Sequence, residues 1–442
     1  MEGIEETRQR RPLRSLGGYT RPLAAAVGSV TAAILALAAC SSAGVSPSGG
    51  GTSVSGSSAP GVTAHSVSIG LLMPLTGPFA AGYADFKTAF NARIALQNAE
   101  GGVYGRQLVV DQEDDQSSPT AVLTAASSLV QAKNVFAIGE ESSVLFGAYK
   151  YLGKQGVPVV GGSADGGPEW TLANSDLFAV TGSSGANPPA AKAWGIFLKS
   201  QGVTDIGSLA NTVPAGIKTV TAVNQSAEAA GLKASYLNGT FPQTQVSSFG
   251  GAVQTMMSQG VDGVMTGWSV QAGFGLLKDA LAAGFRQKVK IWIMAASPTA
   301  ADLGNPQARQ LANGTWTMMP VVPPEANVPA AKAFDAAVAK YEHVTSPLTA
   351  IGVVGWLSAS AIVEGLRLAG PHPTRAAFNA KLRTVKDFTG DGMEIQPVSF
   401  TASEGTGAQF TGPAPASCLW FMQYKGDRYV PQAKPICAGN VK

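Results

Sequence analysis

Strand-like runs and helical stripes alternate along this chain, and the alternation runs through twice. Val67-Ser68-Ile69-Gly70-Leu71-Leu72-Met73 reads as a buried strand, and behind it Phe86, Phe90 and Ile94 recur at i, i+4 and i+8 on one helical face. Gln107 to Asp111 is the next strand. Ser118 then offers an N-cap with Pro119 at the first helical position, ahead of a stripe at Val122, Ala125, Ala126 and Leu129. Val135 to Gly139 and Val157 to Gly161 are two more strands, with a helical stretch between them. The rhythm restarts after about residue 185, with strands expected at Asp205 to Leu209, Ala234 to Leu237, Val261 to Thr266 and Val289 to Met294. Two of the helices between them close at Gly260 and Gly284, as a C′ glycine closes a helix. Such order demands parallel sheets with helices on both faces, so the fold class is α/β with two units of similar size. A further helical region, around Phe334-Val338-Tyr341 and Gly355 to Leu368, follows a Pro-rich crossing at Pro320 to Pro324.

The first forty residues read as an address. Arg8, Arg10, Arg11, Arg14 and Arg21 precede an uncharged apolar run from Pro22 to Ala39 that ends in Leu37-Ala38-Ala39-Cys40. This resembles the bacterial lipobox, in which the Cys is lipidated and becomes the new N-terminus. A single-pass anchor, or an ordinary signal peptide with a chance Cys, is the competing reading, and it leaves unexplained why so rare a residue stands there. Residues 41–64 hold eight Ser, six Gly and no charge. They read as a flexible tether with a span of about 27 Å.

Removing residues 1–39 takes away five Arg and three Glu and leaves a net charge of +1, too little for a nucleic-acid binder. Charged residues are only 13% of the chain, and no later run reaches the roughly 20 uninterrupted apolar residues of a spanning helix. With three Cys and three His at no recognised spacing, a structural zinc site is excluded. Cys418 and Cys437 flank two strand-like runs joined around Lys425-Gly426-Asp427. A hairpin there brings them together, and an exported chain meets oxidising conditions, so a disulfide is expected in place of two buried thiols.

In open α/β sheets ligands bind outside the carboxyl ends of the strands. That rule selects loops 74–83, 112–118, 140–147 and 162–170 in the first unit and 211–216, 267–272 and 295–300 in the second. They are rich in Gly, Ser and Ala with a few aromatics and carboxylates, which suits a small organic ligand.

Ile69-Gly70 with Met73-Pro74-Leu75-Thr76-Gly77-Pro78, then Asn98 to Arg106 (Asn-Ala-Glu-Gly-Gly-Val-Tyr-Gly-Arg), then Asp114-Asp115, resembles the type I periplasmic binding proteins. The likeness is nearest to the branched-chain amino acid (Leu/Ile/Val-type) substrate-binding lipoproteins of ABC transporters. Gly156 to Val160 and Ser163 to Glu169 continue it. It is clear over about residues 66–185 and looser beyond. It implies two doubly wound parallel-sheet lobes joined by three crossovers near 182–186, 319–324 and 411–417, with a solute held between them. The first lobe is then 65–183 with 322–415, and the second 184–321 with 416–442, after a signal peptide at 1–39 and a tether at 40–64. The resemblance further implies a monomer on the outer face of the cytoplasmic membrane, anchored through Cys40, that serves an ABC permease and its ATPase. A sensor presenting its closed form to a membrane receptor kinase would use the same body.

The resemblance also points to binding residues. Ser142 or Ser143 matches the Ser after the third strand, Ala164 a backbone contact, and Trp268 an aromatic of the second lobe. The Thr position falls at Gly166, the acidic position falls in Ala295-Ala296-Ser297, and a common Tyr-Gly is replaced within Thr212 to Gly216. The amine partner of an ordinary amino acid is therefore missing. Glu140, Glu141 or Asp165 takes its place, or these are solvated loop carboxylates or caps. Phe79, Tyr83 and Trp268 either stack on a planar ligand or pack within the lobes. No catalytic motif is present, the three His read as exposed loop residues, and neither Glu113-Asp114-Asp115 nor Glu140-Glu141 is expected to hold a metal. The expectation is a binding protein without a cofactor, not an enzyme.

Overall fold

The computed structural model describes residues 59–171, 175–181, 190–401 and 417–441. Among these residues the chain forms two sheets. The first joins β1 (Ser66–Met73), β2 (Gln107–Asp114), β3 (Ala137–Glu140), β4 (Val159–Gly161) and β5 (Leu177–Ala179), all parallel, in the order β2-β1-β3-β4-β5. Between its strands lie α1 (Ala80–Ala99), α2 (Ala121–Ser127) and α3 (Tyr149–Lys154). The anticipated stripes are the buried ones: Phe86, Phe90, Val122, Ala126 and Leu129 are fully buried, and Ile94 and Ala125 nearly so.

The second half continues with α4 (Lys192–Ser200), β6 (Asp205–Asn211), α5 (Pro214–Ala229), β7 (Lys233–Phe241), α6 (Gly250–Gln259), β8 (Gly263–Gly267), α7 (Val270–Ala282), β9 (Ile291–Met294), α8 (Pro306–Ala312) and β10 (Trp316–Met319). After β10 come α9 (Pro329–Glu342), α10 (Ala350–Ala369) and α11 (Arg375–Leu382), then β11 (Cys418–Lys425), β12 (Arg428–Pro431) and β13 (Ile436–Cys437). Strands β7, β6, β8, β9 and β10 run parallel, and β11 adds antiparallel to β10, with β12 and β13 on β11. The α6 helix ends on Gly260 at φ 77°, as the sequence indicates. Strands β5, β10 and β13 add to those read from the sequence.

The chain passes between the sheets three times: from β5 to α4, from β10 to α9, and from residue 401 back to β11. The third helical group, α9 to α11, returns to the first sheet because its apolar face shares one core with α1. Phe86 and Phe90 lie in the same cluster as Phe334, Trp356 and Phe378. A Cβ on Gly355 would stand 2.2 Å from the Phe86 carbonyl oxygen, so only glycine permits this approach of α10 to α1. Although α10 is long and apolar enough to cross a membrane, it is the buried core helix of this lobe.

Several expectations shift. Helix α2 begins at Ala121 with Thr120 at its N-cap, two residues later than Ser118 and Pro119 suggest. Ser118 still serves that end, its carbonyl accepting from the Val122 amide at 3.0 Å. The end of the expected tether is folded: Val62 bridges Val67, the Ser68 amide donates to the Gly61 carbonyl, and Arg106 holds the Thr63 carbonyl. Cys40 and the signal segment lie outside the described residues. Cys418 and Cys437 form a disulfide across β11 and β13.

Candidate functional site

A cavity of about 240 Å³ lies where the strands of both sheets end. Six of the seven loops selected by the strand-end rule contribute to it: Pro78, Phe79, Gly82 and Tyr83; Ser143; Ala164; Asn211, Val213, Ala215 and Gly216; Gly267 to Gln271; and Ala295 to Ser297. The seventh, 112–118, acts from behind. The Asp114 carboxylate accepts from the amides of Leu75 (2.8 Å), Thr76 (3.2 Å) and Gln116 (2.8 Å) and from the Thr76 hydroxyl (2.6 Å). Burial by itself raises its pKa, but these bonds outweigh that and hold Asp114 below the ordinary carboxylate range. The loop that starts α1 is thereby fixed, and with it Phe79 and Tyr83, whose rings meet edge to face at 6.3 Å.

Of the two serines left open, Ser143 lines the cavity and Ser142 does not. The Ser143 hydroxyl shares a 2.5 Å hydrogen bond with the Tyr83 hydroxyl. Ser142 is fully buried behind it: its hydroxyl accepts from the Val144 amide at 3.2 Å, and its own amide donates to Glu140. Trp268 fills both readings, lining the cavity while packing on Phe241 at 5.0 Å and on Phe249 at 5.4 Å.

The carboxylates are neither ligand-facing nor solvated, and they serve as caps for nearby backbone amides. Glu140, Glu141 and Asp165 are neither solvated loop groups nor part of the cavity wall; all three are buried behind it. Glu140 accepts from the Ser142 amide (2.5 Å) and Glu141 from the Gly162 amide (3.1 Å). Asp165 accepts from the Gly167 amide (3.1 Å) and the Trp170 indole (2.8 Å). Burial, with Asp165 and Glu141 nearby, pushes the Glu140 carboxyl well above its ordinary range. Burial, with Asp165 close, brings Glu141 to about 8. Glu169 reaches about 7 by burial and the same neighbour. In each case the low-dielectric surrounding and the nearby carboxyl groups both penalise the charged form and favour the protonated one.

Gly166 does not line the cavity either. It sits at φ 61°, and a Cβ on it would lie 3.1 Å from Ala215 Cα in the first turn of α5. The second lobe's backbone occupies the space a threonine side chain would need. Lys218 of α5 donates to the Gly166 carbonyl, so the lobes touch at this loop as well as through the core that β11 shares with α9 and α10.

The strand-end rule missed Thr219 and, above all, Thr349, Ala350 and Ile351 at the start of α10. These reach the cavity from a helix, not a strand end. The one signal was Thr349 standing before an apolar helical run. All three His are exposed, and no group of three or more His, Cys, Asp or Glu suited to a metal forms among the described residues.

A family model described as periplasmic binding protein matches residues 66–428. The chain belongs to the type I periplasmic binding proteins. The Leu/Ile/Val-binding protein BraC3 of Rhizobium johnstonii is 32% identical over 77 residues, 17% of this chain and 21% of that relative. Three solved structures share the fold. A fatty acid ABC transporter substrate-binding protein from Thermomonospora curvata is 19% identical with a TM-score of 0.68, over 86% of this chain and 95% of that one. A solute-binding protein from R. palustris in complex with benzoate is 17% identical with a TM-score of 0.67, over 85% and 97%. A branched-chain amino acid ABC transporter protein from Thermus thermophilus with bound valine is 16% identical with a TM-score of 0.67, over 85% and 97%.

Proposed function

We propose that this periplasmic binding protein is an extracytoplasmic solute receptor. It captures one small organic molecule between its lobes (an amino acid, an amide or an aromatic acid) and delivers it to an ABC permease driven by a partner ATPase. The observation that carries this reading is the cavity of about 240 Å³ walled by strand ends of both sheets, where hinge closure would enclose a ligand. Benzoate and valine, the ligands bound in two of the related structures, are small organic molecules and both carry a carboxylate.

The first lobe would comprise 65–183 with 322–415 and the second 184–321 with 416–442. Cys40 would carry the lipid, and the segment before it would be removed on export. The receptor works by binding, with no catalytic step and no cofactor. A thermal-shift screen of amino acids, amides and organic acids tests the reading: a ligand at 100 times its Kd adds about 2.7 kcal/mol and raises the melting point by a few degrees. Metabolic labelling with palmitate, present in the native chain and absent in Cys40→Ala, tests the anchor.

A further inference from the structure

Charge is distributed around the cavity in a way that selects among those ligand classes. Among the described lining residues there is no Asp, Glu, Lys, Arg or His. The stretches of the body outside the described residues, 172–174, 182–189, 402–416 and 442, add two charged residues, Glu404 and Lys442. Among the described residues no cationic side chain lines the cavity to match a ligand charge.

Four long helices begin at this cavity. α1 presents Phe79, Gly82 and Tyr83, α5 presents Val213, Ala215, Gly216 and Thr219, α7 presents Val270 and Gln271, and α10 presents Thr349 to Ile351. None has an acidic residue in its first turn; the Ser269 hydroxyl caps α7 by accepting from the Ala272 amide, and the Asp85 carboxylate, reaching over from α1, accepts from the Thr349 amide (2.8 Å) at the start of α10. Each start leaves amide N–H groups without helical partners and carries the positive end of the helix dipole. The Tyr83–Ser143 pair adds a donor, because two hydroxyls sharing one hydrogen bond retain one proton to give. The rest of the wall is apolar or aromatic: Phe79, Val213, Trp268, Ala295, Ala296 and Ile351.

An ammonium here would face the positive ends of α1, α5 and α7 with no carboxylate in the described wall, Asp85 being engaged with the start of α10, and an unpaired buried ammonium is strongly disfavoured. Glu140 and Glu141 do not answer it, since they stand outside the wall and hold their protons near neutral pH. A carboxylate meets the reverse conditions.

Resting on the solute-receptor reading above, we infer that the ligand is a monocarboxylic acid with an apolar or aromatic body and no ammonium group. The selectivity comes from helix ends and from alanines where a counter-charge would have to stand, not from a charged clamp.

Matched probes test this on the full-length chain by isothermal titration. They are 3-phenylpropanoic acid against L-phenylalanine, 4-methylpentanoic acid against L-leucine, and the amide of each acid. The acids are expected to bind at least 100-fold more tightly than the amino acids and more tightly than the amides. Equal or tighter binding of an amino acid overturns the inference and leaves the receptor reading standing, as does an amide that outbinds its acid. Silence of all six at millimolar concentration overturns both. A second arm uses Ala296→Asp, with its fold checked by circular dichroism: the acids should lose at least tenfold and the amino acids should gain. Unchanged acid binding by that variant would place the ligand elsewhere and also overturn the inference.

Discussion

Where the strands of the first sheet end at the cleft, the chain places Asp114, Asp115, Glu140, Glu141 and Asp165. Where those of the second sheet end, it places Asn211, Trp268, Ala295, Ala296 and Ser297. The acids of the first edge are all spent on architecture. Asp114 holds the 74–76 loop, Asp115 accepts from the Ser117 amide at 2.6 Å, and Glu140, Glu141 and Asp165 each tie down a strand-end amide. The second edge is shaped by packing, with Trp268, Phe241 and Phe249 in one aromatic group. A buried acid near a ligand site is thus not a ligand group by default. Here it fixes the loops that present Tyr83 and Ser143.

The largest expected effect breaks the comparison at its acidic side. Glu141 rises from its ordinary 4.5 to about 8 on burial, a difference of roughly 5 kcal/mol between its charged and neutral forms. Since the raised value belongs to the folded state, the stabilisation is full below about pH 4.5 and is lost as pH rises through about 8. Glu169, at about 7, acts in the same direction. Urea melts from pH 5 to 9 should show stability falling with pH, and Glu141→Gln should flatten part of that slope by stabilising the protein at pH 9. A Gln variant less stable than the native chain at pH 9 would mean the carboxylate is ionised and paired, and would restore Glu141 as a partner for a cationic ligand.

The packed side should respond to lost volume instead. Trp268→Ala removes the shared wall of the Phe241–Phe249 group and should cost about 3–5 kcal/mol together with ligand binding. Phe79→Ala, on a half-buried ring of the first edge, should cost much less stability for a similar loss of binding. Equal costs for the two would erase the distinction between an edge built by packing and one built by hydrogen bonds. Breaking the Cys418–Cys437 disulfide should cost about 3 kcal/mol by the closed-loop argument for a separation of 19 residues. Its effect on ligand affinity should be small, because neither cysteine lines the cavity.

The sequence carried the fold further than the site. Stripes such as Phe86-Phe90-Ile94 and glycines such as Gly260 report local geometry, and the local geometry was enough to set the strand–helix order. The strand-end rule then found most of the wall, Phe79, Tyr83, Ser143, Ala164 and Trp268 included. It failed where a residue's role depends on which way a chain turns after the strand. Glu140 and Glu141 follow one another at the end of β3, and no pattern in their neighbours shows that both point away from the cleft. Gly166 looked like a missing hydroxyl because the backbone of α5, 50 or so residues later, was invisible from its loop. Thr349 to Ile351 reach the cavity through the packing of α10 on α1, a tertiary fact.

Gly166 offers a finer cut, at the point where the two edges meet. Alanine there must hold φ near 61° and press on Ala215 at 3.1 Å, which should cost about 1–2 kcal/mol. The strain falls on the lobe contact, so ligand dissociation in stopped flow should accelerate while association changes little. Loss of stability without any change in dissociation would show that the Gly166–Lys218 contact persists when the cleft opens.

The smallest effect separates presenting a donor from closing the wall. Tyr83→Phe removes one hydroxyl from a pair 2.5 Å apart and should destabilise the protein by about 1 kcal/mol. Ser143 then keeps its own proton and becomes the donor facing the cavity, so acid affinity should fall by less than tenfold. Ser143→Ala should give a similar result by leaving the tyrosine hydroxyl as donor. Only the double variant strips the wall of both, and its loss should exceed the sum of the single losses, because each hydroxyl alone can stand in for the pair. Simple additivity would mean that both hydroxyls contact the ligand independently. Tighter binding by Tyr83→Phe alone would mean that the phenol competes with the ligand for Ser143, and the first edge would then have to be read as a gate over the site rather than as part of its grip.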